Sequence, residues 1–75
     1  MTYNYTTIFE PDEKGYHVFC PTLPGCHSYG HTVEEAQKNI KEAIEAYLES
    51  LKKDGELIPE EKGVLVGETK LEMAS

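Results

Sequence analysis

Four side chains able to bind a metal or act as nucleophiles, Cys20, Cys26, His27 and His31, fall within a short stretch of the chain. Thiolate and imidazole are the ordinary ligands of structural zinc. Their order, Cys-x5-Cys-His-x3-His, departs from the finger pattern of two closely spaced cysteines followed by a separate histidine pair. Adjacent Cys26 and His27 would also point to opposite faces of a strand. The sequence is therefore read as holding no metal and no cofactor, with both cysteines as small buried hydrophobes and the histidines at a surface or interface. A cysteine nucleophile at Cys26 would need a base, and His17, His27 or His31 could stand near it, but no oxyanion-hole signature or orienting third group is apparent. Among carboxylates, Glu10 alone lies in the first two strand-like segments, which is too little for a two-metal nuclease. Gly25 and Gly30 lack the Gly-Lys-Ser/Thr that completes a phosphate-binding loop. These patterns assign no catalytic residue.

The elements that would position such groups are easier to read. Leu23-Pro24-Gly25-Cys26 is a tight turn in which Pro24 presets φ and Gly25 accepts the positive φ of a type II geometry. Thr32 is an N-cap and Glu35 completes a capping box, with Glu34 placing charge beside the helix N-terminus. Val33, Ala36, Ile40, Ala43, Ile44, Tyr47, Leu48 and Leu51 then recur at spacings of three and four, which predicts one long amphipathic helix. Its polar face takes Glu34, Lys38, Lys41, Glu45, Glu49 and Lys52, and Lys53-Asp54-Gly55 closes it. Before it, Tyr3 to Glu10 and Tyr16 to Cys20 read as two antiparallel strands joined by the Pro11–Gly15 loop, and Cys26 to Gly30 as a short third. Leu57-Ile58-Pro59 is expected to tuck under the helix end, and Val64 to about Met73 to form a fourth strand. The expectation is α+β, in the order βββαβ, with a right-handed crossover helix on a four-stranded mixed sheet.

Composition narrows the function classes. The chain has 75 residues, 39% hydrophobic and 28% charged, and is read as one domain spanning 1–75, with no signal peptide and no apolar run of membrane-spanning length. Two cysteines without a secretory signal point to a reducing, cytoplasmic setting. Net charge is −7, and all seven basic residues are lysine. That argues against direct DNA or RNA binding, which draws on basic patches. An acidic surface can instead steer a basic protein partner, or simply keep a small domain soluble.

Pro21-x-Leu23-Pro24-Gly25-Cys26-x-Ser28-x-Gly30-x-Thr32-x-Glu34-Glu35-Ala36-x-x-Asn39-Ile40-x-Glu42-Ala43-Ile44 closely resembles the signature of HicB-like antitoxins. Gly15-Tyr16 and Gly55-x-x-Ile58-Pro59 extend the likeness over nearly the whole chain. The resemblance implies a degenerate ribonuclease-H-like fold without that fold's catalytic acidic set. It also implies a protein partner, HicA, a small basic mRNA-cleaving toxin that the antitoxin binds and blocks. Many relatives continue into an operator-binding domain, whereas this sequence stops after the expected last strand. On this reading Glu34, Glu45 and Glu49 are candidate partner contacts, while Leu23, Pro24, Gly25, Cys26, Gly30, Thr32 and Glu35 build the scaffold. Asn39, near the edge of the apolar face, is either a strut to the adjoining loop or a partner contact. The competing classes are a thiol- or metal-dependent hydrolase, or an oligomeric binding module without a toxin.

Self-association follows from parity. Tyr3, Tyr5, Ile8, Phe9, Tyr16, Val18 and Phe19 do not all fit one face of the sheet, and one helix covers only one face. Tyr3, Tyr5, Tyr16 and Val18 are therefore candidate interface residues of a homodimer, or a tetramer built from it.

Overall fold

A computed structural model describes residues 2–74. Three strands, β1 (Ile8–Pro11), β2 (Tyr16–Phe19) and β3 (His27–Gly30), precede one helix, α1 (Val33–Lys53). The sheet is antiparallel throughout in the order β1-β2-β3. Its register sets Phe9 opposite Val18 and Val18 opposite Ser28, so these share the face toward the helix. Ile8, Phe19 and His27 share the other face, as do Glu10, His17 and Tyr29.

Local chemistry explains each connection. In the first hairpin the Asp12 carboxylate accepts from the amides of Lys14 and Gly15, both at 2.8 Å, closing an Asx-type turn. The Cys26 amide donates to the Leu23 carbonyl at 3.0 Å across Pro24-Gly25, with Gly25 at φ +79° as a type II turn requires. Thr32 caps α1 by accepting from the Glu35 amide at 3.1 Å. The Glu35 carboxylate returns to the His31 amide at 3.4 Å, one residue before the cap, so the capping box closes loosely. At the far end the Glu56 amide donates to the Leu51 carbonyl and the Gly55 amide to Lys52, a Schellman closure.

Val18, Cys20, Leu23, Cys26, Ala36 and Ile40 form the buried core, with Tyr5, Phe9, Tyr16, Ile44 and Leu48 packed at its margin. Full burial of a side chain such as Val18, Leu23 or Ile40 contributes about 1.5–3 kcal/mol. Gly30 lets helix and sheet touch: a Cβ there would lie 2.3 Å from the Ala36 amide nitrogen. Two expectations are corrected here. Val18, expected at an oligomer interface, is fully buried in this chain's own core, because its parity turns it toward the helix. Val33, expected on the buried helix face, is 44% exposed, because it is the first residue of α1 and precedes the Ala36–Gly30 contact where helix and sheet meet.

The fourth strand is the main correction. Residues 56–74 carry no strand, and the sheet has three strands, all antiparallel. Beyond the helix the chain crosses to the N-terminal segment, where the Tyr5 hydroxyl donates to the Pro59 carbonyl. There the Glu61 carboxylate takes the Thr6 amide and, at 2.6 Å, the Thr6 hydroxyl. Ile58 and Pro59 are half-buried, whereas Leu57, expected to tuck under the helix, is 94% exposed. Gly63, at φ +67°, follows the anchored Glu61, and every residue from 62 to 74 is exposed. An extended backbone alone does not choose its partner; strand propensity leaves the pairing to non-local contacts. The radius of gyration is 15.1 Å and the long axis 54 Å. A compact chain of this length would have a radius of about 11 Å.

Candidate interaction surface

The sheet face away from the helix carries a polar–aromatic cluster supplied by the first hairpin and β3. His17 Nε2 lies 3.2 Å from Asp12 Oδ2, and the Tyr29 hydroxyl donates to Asp12 Oδ1 at 3.3 Å. The Tyr29 ring meets His17 edge-on, centroids 4.9 Å apart, and His31 likewise at 5.8 Å. His31 Nδ1 sits 3.2 Å from the Lys14 carbonyl. Hydrogen bonds from the Lys14 and Gly15 amides, then from Tyr29, hold the Asp12 carboxyl below the usual range. Desolvation, then the Asp12 charge, pushes the Tyr29 hydroxyl up. Sequence reasoning missed this cluster. Its signal was the hairpin register, which places His17 opposite both Glu10 and Tyr29.

The four metal-capable residues do not converge. Cys20 and Cys26 are free thiols buried in the core, where desolvation pushes both up and away from the thiolate form. His27 points to the opposite face, exposed, and His31 lies past the end of β3. Among the described residues no three of His, Cys, Asp and Glu come together as a metal site.

Glu34, Glu45 and Glu49 are exposed on α1. At about 100° per residue they fall along one stripe, with Glu45 about 16 Å beyond Glu34, and so form no single point of attachment. Asn39 turns inward, its amide donating to the Tyr29 carbonyl at 2.7 Å. Tyr5 and Tyr16 lie at the core margin; Tyr3 stacks loosely on Tyr5, ring centroids 6.4 Å apart. α1 packs over β3 and β2, and toward the N-terminal segment an open groove of about 420 Å³ remains. Tyr3, Tyr5 and Thr7 line it on one side, with Ile40, Ile44 and Leu48 on the other and Lys41 and Glu45 at its rim.

A three-stranded sheet under one helix, with an exposed charged helix face and an apolar groove, defines a small α+β module. No helix among the described residues is long and apolar enough to cross a membrane. The chain belongs to the HicB-like antitoxins of bacterial toxin–antitoxin systems, whose family model matches residues 5–74. It is similar to a UPF0150 protein of Synechocystis sp., 55% identical over 60 residues that cover 79% of this chain and 76% of the relative. A UPF0150 protein of Thermoplasma acidophilum is 59% identical over 56 residues, 73% of this chain and 81% of its own. One from Archaeoglobus fulgidus is 45% identical over 69 residues, covering 88% and 94%.

Proposed function

We propose that this chain is a cytoplasmic antitoxin that binds a small, basic, mRNA-cleaving HicA-like toxin and blocks it, acting as a protein-binding module and not as an enzyme. The family match over residues 5–74 carries this reading. The net charge of −7 supports it by offering a basic partner electrostatic steering, with Glu34, Glu45 and Glu49, exposed on a helix face they share with Lys38, Lys41 and Lys52, as candidate contacts. The working form is a homodimer, or a tetramer assembled from it. The chain itself leaves DNA and RNA unbound.

Co-expression with a basic toxin encoded beside it tests the reading. A stable complex, with RNA cleavage lost, is the expected result. Growth arrest despite co-expression would overturn it. Charge reversal at Glu34, Glu45 and Glu49 together should slow association and flatten its salt dependence, since rim charges act chiefly on the on-rate. In the absence of toxin, a salt-sensitive, sequence-selective shift of nucleic acid by this chain would contradict the proposed division of labour.

A further inference from the structure

We propose that residues 63–74 are an exchange arm, which adds a strand to the free edge of β1 in a second copy of this chain and lays its apolar side chains into that copy's groove. The proposal rests on the homodimer reading and specifies how the dimer is built.

The arm has the pattern of a half-buried strand without a sheet. From Glu68 on, Thr69, Leu71 and Met73 share one parity with Leu65, and Glu68, Lys70 and Glu72 share the other, while Val64 and Val66 make the start of the arm apolar on both. Leu65 is 94% exposed, Leu71 76% and Met73 86%. Alternation of this kind places one face in a core and the other in water. Within the single chain, neither face is covered.

The acceptor is equally incomplete. The order β1-β2-β3 leaves one side of β1 without a strand, and an open edge presents unpaired backbone donors and acceptors. β1 ends in Pro11, a residue sheets tolerate on edge strands. The groove between Tyr5 and Thr7 on one side and Ile40, Ile44 and Leu48 on the other opens where a strand beside β1 would send its helix-side residues.

Anchoring makes the exchange reciprocal. The Thr6–Glu61 and Tyr5–Pro59 bonds hold the root of the arm beside the segment that leads into β1. From that root, twelve extended residues reach roughly 40 Å, well past the chain's own short strands. Under a two-fold axis each root lies near the edge that the other arm takes, so the pairing closes at two copies. A toxin would leave the arm's match to this chain's own edge and groove unexplained.

Two measurements on the full chain decide the matter. Leu65→Asp with Leu71→Asp alters only side chains exposed in the single chain, so the helical circular-dichroism signal should be unchanged while sedimentation equilibrium falls from dimer mass to monomer mass. In the second, a spin label on Glu68→Cys is carried by unlabelled protein mixed with ¹⁵N-labelled wild type; buried Cys20 and Cys26 stay unmodified. Broadening strongest at the Thr7–Glu10 amides of the ¹⁵N copy, and falling off through β2 to β3, is expected. A wild-type monomer at micromolar concentration would overturn both the exchange and the homodimer. A dimer that survives the double substitution, or shows no broadening at β1, would overturn the exchange alone. Toxin neutralisation is read separately and is independent of either result.

Discussion

The side-chain amide of Asn39 donates to the backbone carbonyl of Tyr29 at 2.7 Å, tying the second turn of α1 to the strand beneath it. The bond satisfies a half-buried carbonyl on the open side of β3 and sets the height of the helix over the sheet. Asn39→Leu should destabilise the fold by about 1–2 kcal/mol, because the carbonyl loses its partner. Urea denaturation checks the loss. An unchanged midpoint, combined with weaker toxin binding, would reassign Asn39 to the partner surface.

Two apolar residues of one helical pattern should respond very differently to truncation. Ile40 is fully buried and Val33 is 44% exposed. Ile40→Ala should cost about 2–5 kcal/mol through lost transfer and a residual cavity. Val33→Ala should stay within about 0.5 kcal/mol. Equal costs would mean that the first helical turn is covered in solution.

Gly30→Ala tests the close approach of helix and strand. The added methyl would lie 2.3 Å from backbone at Ala36, which cannot rotate away. Helix and sheet must part, at a cost of about 3 kcal/mol, the upper end of ordinary overpacking. A thermal melt matching the wild type would show that α1 can rise without loss.

Glu61 should make the arm's root sensitive to acid. Hydrogen bonds from the Thr6 hydroxyl, then the Thr6 amide, hold its carboxyl below the usual glutamate range. A group depressed in the folded state contributes stability above its unfolded pKa, and loses it as pH falls through the folded value. The Thr6 amide proton should therefore hold its position down to pH values below the ordinary glutamate range and then move upfield. In Glu61→Gln that transition should vanish, as read by amide chemical shift.

The thiols should be inert in the native protein. Cys20 and Cys26 are buried and pushed away from the thiolate, so a disulfide reagent at neutral pH should react slowly until urea exposes them. Fast native reaction of Cys26 would revive the thiol-hydrolase class. Elemental analysis should also find no stoichiometric zinc; one zinc per chain, lost on replacing both cysteines, would contradict the metal-free reading.

What the sequence determined by itself is the local grammar. The Leu23–Cys26 turn, the Thr32 cap, the helix to Lys53, the Gly55 closure and the second and third strand segments each depend on chemistry within a few residues, so each was legible, whereas the first strand, expected from Tyr3 to Glu10, pairs only over Ile8–Pro11. Strand parity was legible too, but not its direction: the register alone decides that Val18 faces the helix and Phe19 the open face. Only the tertiary structure decided three further matters. Asp12, His17 and Tyr29 meet because antiparallel pairing joins residues distant along the chain. Val33 stays exposed because helix and sheet meet only from Ala36, against Gly30, onward. Residues 64–73 have the pattern of a strand yet pair with nothing in their own sheet, because which edge a strand takes is set by non-local contacts and not by its own side chains.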